Sequence, residues 1–411
     1  MHVKPWILLG LLFAGGAAWN VWPAGAAVLS LLMPACVIQG KQRNVRWLFA
    51  FAWFLAGSAS IVPATVGFFG SQTLALGVVA WVTSSALLAL PWIIANSPTG
   101  VVSAVLLDTI PPVGLIGWLS PLSSAGWLFP GQGLAGIAGC LLFIAWIATM
   151  AKRPAGFCHD RIFITGGVLT LWCVVSNLAY IPPVIPSDWV GIQTSIPPSK
   201  GNVLQAMANN RHLITAAQSQ GNHARFLLFP EAILDDWWSG TRTQIAIAAP
   251  RKQTWLLGAE TQAADARWDA LVMVQANHSI DPPVFRAALP MPVSMWRPGF
   301  DDGFQAVWHE HIKTIGGHRV WANICFDQSL PWVWIDGMIQ HPNLVLLPSN
   351  AWWAQSWNPA PGIQKAQADA WIRLMSVPAI WANNKITDRQ AGQTQQIRVK
   401  LSTGFYNPCH V

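Results

Sequence analysis

Charge is scarce in this chain. Asp, Glu, Lys and Arg make up 10% of its 411 residues and hydrophobic residues 53%, whereas soluble domains carry roughly 25% charged residues. The shortage is local. From Pro5 to Met150 the charged side chains are Lys41, Arg43, Arg46 and Asp108. So little charge cannot dress a wetted surface, which excludes a protein that is soluble throughout. Gly-rich phosphate loops, zinc-ligand spacings and G-x-S-x-G elbows are missing from the sequence. Nucleotide, zinc and serine-hydrolase chemistry therefore have no local signature, and neither metal nor cofactor is expected. Cysteines are few as well. Cys36, Cys140 and Cys173 lie in apolar segments and Cys158 in a basic loop, leaving Cys325 and Cys409 in the C-terminal part. A bridge between those two would consume the best nucleophile in the chain, so no disulfide is expected. The net charge of +7 has no basic helix or aromatic-basic sheet motif beside it, and a nucleic-acid partner is not expected.

What is present, first of all, is apolar length. A membrane helix needs about 20 mostly apolar residues. Seven segments qualify as candidates, over 5–20, 23–39, 47–69, 73–95, 101–119, 129–150 and 161–182. The first two are short enough to be a hairpin, and Asp108 with Pro111-Pro112 interrupts the fifth. A removable signal peptide does not explain the first segment, because apolar segments continue after it. Lys4, the cluster Lys41/Arg43/Arg46 and the cluster Lys152/Arg153/Arg161 fall at alternate ends of these segments. With the N-terminus in the cytoplasm all three obey the positive-inside rule, and seven spans put the remaining chain on the outer face. Asp108 is an intramembrane carboxylate of the kind transporters use. With Pro-Pro beside it and no inverted repeat, it reads as a helix break near the interface.

After about Ser187 the charged residues return, which sets a domain of about seven helices over 1–185, an outer domain over 186–395 and a tail over 396–411. The outer domain alternates strands and helices. Strands are expected at 189–194, 225–229, 245–249, 254–259, 270–275, 283–288, 305–309, 320–325, 344–348 and 379–382, with helices at 200–220 and 362–377. That alternation implies an α/β sandwich, whose chemistry gathers at strand ends. Two strand ends stand out. Phe226-Leu227-Leu228-Phe229 runs into Pro230-Glu231, and Val320-Trp321-Ala322-Asn323-Ile324 runs into Cys325-Phe326-Asp327. A thiol at such a place is a usable nucleophile once a neighbouring base makes the thiolate. Among the 26 tryptophans, the adjacent pairs Trp237-Trp238 and Trp352-Trp353 point to contact with lipid or an apolar ligand, since Trp favours membrane interfaces.

Four runs occur in order: Leu227–Glu231, Leu256-Leu257-Gly258-Ala259-Glu260, Asn323-Ile324-Cys325-Phe326-Asp327, and Leu346-Leu347-Pro348-Ser349-Asn350-Ala351-Trp352-Trp353. With them the outer domain resembles the nitrilase (carbon–nitrogen hydrolase) superfamily. The whole chain resembles apolipoprotein N-acyltransferases and, closest in character, TraB-type conjugal-transfer proteins. The resemblance implies an α-β-β-α sandwich behind an N-terminal multi-span helical membrane domain. It also implies a Glu-Lys-Cys triad, with Glu231 as base and acid and Cys325 as the nucleophile that forms a thioester. Asp327, Ser349, Asn350, Trp352, Trp353, Trp237 and Trp238 are the candidate substrate-binding residues. The expected location is the bacterial inner membrane, with the catalytic domain periplasmic.

The family's Lys is missing from Phe285-Arg286-Ala287-Ala288-Leu289-Pro290. Aligning on Phe285 puts Ala287 at its position, whereas aligning on Leu289 puts Arg286 there. Neighbours on a strand face opposite ways, so the register decides whether Arg286 can serve as the cation. Lys313 is the other candidate, and the family's further Glu would fall near Ser294 or Met295. Two functions follow. One is a membrane thiol acyltransferase or amidase, taking an acyl group from a phospholipid and passing it to the amine of a membrane-anchored peptide, lipoprotein or pilin. The other is a catalytically impaired scaffold of conjugative transfer. A monomer is expected in either case.

Overall fold

The computed structural model describes residues 4–153, 160–199, 201–234, 237–263, 266–276 and 278–386. The expected tail over 396–411, Cys158 and Cys409, and with them the Cys325–Cys409 alternative, lie outside the described residues.

The N-terminal half is helical: α1 Pro5–Val21, α2 Pro23–Leu29, α3 Leu32–Val37, α4 Arg43–Gly57, α5 Ile61–Phe69, α6 Leu74–Ala89, α7 Pro98–Thr109, α8 Ala125–Leu128, α9 Gly133–Lys152 and α10 Asp160–Ala179. Pro5, Pro23 and Pro98 open α1, α2 and α7, where a missing N–H costs nothing. Ser97 caps α7 by accepting from the Gly100 N–H at 3.0 Å. Among the described residues, three helical stretches are long and apolar enough to cross a membrane: Ser71–Ile94, Gly133–Lys152 and Arg161–Ala179. Helices α4 and α5, bent by 46° at their junction, would make a fourth span if they act as one. The other apolar segments expected from the sequence are shorter elements. The segment 23–39 breaks into α2 and α3, and α7 stops at Thr109 before Pro111-Pro112. Composition reveals apolar length but not where the backbone turns.

The C-terminal half is two sheets. The first holds β1 Trp189–Gly191, β2 Phe226–Leu228, β3 Thr254–Ala263, β4 Ala266–Gln275 and β5 His278–Arg286 in that order; β1–β3 run parallel and β3–β5 antiparallel. The second holds β6 Lys313–Ile315, β7 His318–Ala322, β8 Leu344–Asn350 and β9 Ala379–Asn384, with β7–β9 parallel. Alternation gives each strand two apolar faces. Phe226, Leu228, Leu256, Leu271, Phe285 and Ala287 from the first sheet pack against Val320, Ala322, Leu344, Leu346 and Ile380 from the second. The outer face of the first sheet (Leu227, Trp255, Leu257, Val272) is covered by α11 Val203–Gln220 and α12 Ser239–Ala248. The outer face of the second (Trp321, Val345, Leu347) is covered by α13 Pro331–Ile339 and α14 Ala360–Met375, in one apolar cluster with the N-terminal helices. The layers are α-β-β-α, as expected.

Two expected strands are not strands. Residues 245–249 fall largely in α12, because Thr241, Ile245 and Ala246 form a buried stripe at helical spacing against the first sheet. Residues 305–309 are irregular, following a single bridge between Phe304 and Arg267. The two halves are joined closely. A β-carbon on Gly126 of α8 would lie 1.8 Å from the Ala370 carbonyl oxygen of α14, so only glycine allows that approach. Arg373 of α14 donates to Asn177 Oδ1 of α10 at 2.9 Å, and Asn177 Nδ2 donates to the Trp127 and Leu128 carbonyls at 3.0 and 3.1 Å.

Candidate active site

Glu231 follows β2 and Cys325 follows β7, so the parallel strands of the two sheets deliver both side chains to one end of the sandwich. Gly258 in β3 permits this on one side, since a β-carbon there would sit 2.1 Å from the Pro230 carbonyl oxygen and 2.5 Å from Glu231 Cα. Both strand ends carry a residue in the left-handed region, Ala232 (φ 40°) immediately after Glu231, and Cys325 itself (φ 43°). A non-glycine residue there is held against an intrinsic cost of order 1–3 kcal/mol by its surroundings. At Cys325 one restraint is visible: Gln364 of α14 donates from Nε2 to the Cys325 carbonyl at 2.8 Å and to Gln328 Oε1 at 3.0 Å.

The Glu231 carboxyl has the Cys325 thiol, the Asp269 carboxyl and the Asn350 backbone N–H within interaction reach. Burial pushes Glu231 up to about 7, against the lowering by these three neighbours. Burial, followed by the Glu231 charge, pushes the Cys325 thiol well up, and the Asn350 N–H partly offsets this. Glu231 thus sits where it can hold or release a proton near neutrality, the property a general base needs. Asn350 is central in a second way. Its Nδ2 donates to the Glu231 carbonyl at 2.9 Å, and its Oδ1 accepts from Asn384 Nδ2 at 2.8 Å.

The strand pairing resolves the register left open above. Leu271 pairs with Phe285 and Ala270 with Arg286, and the Ala287 N–H donates to the Asp269 carbonyl at 2.9 Å. Ala287 therefore stands opposite Asp269 and faces inward with Phe285. Arg286 faces the other way. Its guanidinium lies 4.8 Å from the Trp268 ring centroid, and its backbone N–H donates to Glu310 Oε2 at 2.9 Å; burial raises the Glu310 carboxyl to about 7 against the lowering by that bond and by the Arg286 charge. Lys313, exposed at the start of β6, also acts on Glu310. Neither candidate cation reaches the Glu231–Cys325 pair, and both expectations are corrected. Asp327 does not line the site either. Its two carboxylate oxygens accept from the Ala288 and Leu289 N–H groups at 2.8 Å each, which fixes the chain that carries Ala287. Burial raises Asp327 to about 8 in spite of those bonds.

A cavity of about 690 Å³ opens from Glu231 and Cys325. Its near wall includes Asn350, Trp352, Trp353, Gln364 and Met295. The far wall comes from α5 (Ile61, Ala64, Thr65, Phe68) and α6 (Leu76, Ala80, Thr83, Leu87). Spacings of three and four place each of those sets on one helix face. Among the described residues no Lys or Arg lines the cavity. The Trp352-Trp353 loop is packed onto α5: the Trp352 and Phe68 rings are 5.3 Å apart, and a β-carbon on Gly67 would meet the Trp353 carbonyl oxygen at 2.2 Å. The other tryptophan pair is not at the site. Trp237 is buried against the outer face of the first sheet, and Trp238 is half exposed. Ser349 is turned away from the cavity, its Oγ 3.4 Å from Asn383 Oδ1. The sequence reading missed Asp269, Asn384 and Gln364. Asp269 lies inside β4, Gln364 inside α14, and Asn384 closes β9, so only the strand pairing and the helix packing bring them in.

No family model matches the chain. It is similar along nearly its whole length to two curated proteins. One is a probable conjugal transfer protein TraB from Sinorhizobium fredii, 25% identical over 399 residues that cover 93% of this chain and 99% of that one. The other is the conjugal transfer protein TraB from Agrobacterium fabrum, 26% identical over 411 residues that cover 92% of each. The resemblance to TraB-type proteins is thereby borne out. Among solved structures, the chain is similar to a carbon–nitrogen hydrolase from Helicobacter pylori (TM-score 0.35, 12% identity, 48% of this chain and 72% of that one). It is also similar to a glutamine-dependent NAD+ synthetase from Acinetobacter baumannii (TM-score 0.35, 15% identity, 47% of this chain and 37% of that one).

Proposed function

We propose that this protein is a membrane-bound thiol acyltransferase that works in conjugative transfer. The observation that carries the reading is the meeting of Glu231 and Cys325 at the head of an apolar cavity whose far wall is α5 and α6. Such a cavity fits a fatty acyl chain entering from the bilayer, with its ester carbonyl at the thiol. Glu231 takes the Sγ proton and the thiolate attacks the carbonyl carbon. The tetrahedral oxyanion collapses, the C–O bond breaks, and the leaving alkoxide takes the proton back from Glu231. Cys325 is left as an acyl thioester. An amine of a membrane-anchored peptide then attacks, Glu231 accepts its proton, and the thiol returns as the amide forms. The Asn350 N–H, which acts on both the thiol and Glu231, is a donor for charge developing there. The basic clusters support a cytoplasmic N-terminus and a periplasmic site, and the chain acts as a monomer.

The absence of a cation from the cavity lining favours a second reading, a scaffold that keeps the groove and has lost the chemistry. One experiment separates the two. Full-length protein in nanodiscs of mixed phospholipids is analysed by mass spectrometry for a hydroxylamine-sensitive adduct on Cys325. The enzyme reading expects an acyl thioester whose mass gives the donor, absent in Cys325→Ala and reduced at least about 100-fold in rate in Glu231→Gln, the scale of a lost general base. A thiol that stays free after incubation with lipids and amine peptides would establish the scaffold.

A further inference from the structure

We infer that the carboxyl group of Asp269 takes over the task of the missing lysine, supplying a proton in place of a fixed positive charge to hold Glu231 as the base for Cys325. The inference rests on the reading of Glu231 as that base. Four observations carry it. Asp269 stands opposite Ala287 on the inward face of the β4–β5 pair, where cross-strand neighbours share space, and alanine leaves that space open. The Asp269 and Glu231 carboxyls are close enough to act directly on each other. Its residue exposure is 2%, and Oδ1 has no partner among the described residues. Finally, no Lys or Arg among the described residues lines the cavity.

Two buried carboxyls in contact cannot both be charged at neutral pH, so the pair keeps at least one proton. The groups facing Asp269 decide which member holds it. Burial acts most strongly on it, and Glu231, Asp327 and Glu260 add to this as like charges, so all push toward a neutral Asp269. Glu231 is instead lowered by the thiol and the Asn350 N–H, both of which favour its anion. The proton therefore stays on Asp269 and points at Glu231. A lysine would give Glu231 a donor and a charge, whereas Asp269 gives the donor alone and leaves the anion more basic toward the thiol. The Sγ proton passes to Glu231 while Asp269 keeps its own. Asp269 touches no reacting atom, so it is a positioning residue.

The test follows iodoacetamide alkylation of Cys325 across pH in full-length protein, together with infrared difference spectra on protein labelled with ¹³C-aspartate. Asp269→Asn keeps a neutral donor to Glu231 and is expected to hold the neutral-pH alkylation rate within about threefold. Asp269→Ala removes the donor and is expected to lower that rate at least about tenfold, the scale of a lost hydrogen bond to a charged group. The wild-type-minus-Asp269→Asn spectrum is expected to show the C=O stretch of a protonated aspartic acid at neutral pH. Asparagine as damaging as alanine would mean that a charge, not a proton, is required, and would overturn the inference. So would a missing carboxylic-acid band, a readout that stands even if Asp269→Ala does not fold. Neither measurement needs an acyl donor. A protein that passes both yet forms no thioester would refute the acyltransferase reading alone.

Discussion

The two outer faces of the sandwich are built from similar strands and covered in opposite ways. The first sheet lies under α11 and α12, whose exposed sides carry Arg211, Thr215, Gln218 and Thr243 beside the apolar Val203, Leu204 and Ile247. The second lies under α13 and α14, which continue without a break into the apolar N-terminal helices. Tryptophans show the contrast. Trp237, on the first face, lies under the Arg242 guanidinium, whereas Trp334 and Trp371, on the second, stack with each other in a dry core. The difference teaches where the chemistry can be reached from. Glu231 and Cys325 sit between the sheets, but their cavity opens along the side that the apolar helices α5 and α6 wall.

The largest effect on acylation that would break this comparison is at the joint. Gly126→Leu drives a side chain into the Ala370 backbone, which no rotamer change relieves, and overpacking of this kind typically costs about 1–3 kcal/mol or more. Both the thermal midpoint and thioester formation by the folded fraction are expected to fall. Leu213→Ala on the first face costs about 2–5 kcal/mol as a buried truncation and lowers the midpoint, but acylation per folded molecule should hold. Equal loss of acylation in both would erase the distinction between the faces.

A smaller change sharpens it. Ala80→Trp fills the α6 side of the cavity and should shift donor choice toward shorter chains by at least about tenfold, since each buried CH₂ contributes about 0.8 kcal/mol. Competition between short- and long-chain phospholipids, read as adduct masses on Cys325, measures it. An unchanged mass distribution would remove the acyl chain from that groove.

Smallest is the response to pH. Glu231 and Glu310 are raised from 4.5 to about 7, and Asp327 from 3.8 to about 8. For each, the unfolded chain loses its proton first, so folding binds protons and stability falls as pH rises. The contribution is complete below the unfolded values and lost through about pH 8. Thermal midpoints in detergent should decline over that window by about 2–4 °C per kcal/mol. Glu310→Gln, outside the cavity, should flatten the decline without changing thiol reactivity, whereas Glu231→Gln should change both.

Much of the fold was legible. Strand-end patterns located Glu231 and Cys325, because a strand that stops at a short polar turn looks the same in any sheet. An α/β sandwich followed from alternating strands and helices, and its α-β-β-α layering from the family resemblance. Misread elements failed for a shared reason. Residues 245–249 and the segments 23–39 and 101–119 are apolar runs whose shape depends on what they pack against. Trp237 looked like Trp352 for the same reason, a pair of adjacent aromatics in loop-like sequence that carries no mark of which face it will meet.

Composition and period along one chain were enough for a charge-poor helical half, an α/β half, and a thiol and a carboxylate at strand ends, while the missing lysine was legible only through the family resemblance. Only the tertiary structure decided that Ala287 rather than Arg286 faces inward, that Asp269 stands across from it, and that α5 and α6 wall the cavity. Each of those depends on pairing between distant segments, where one residue of register turns a side chain to the opposite face.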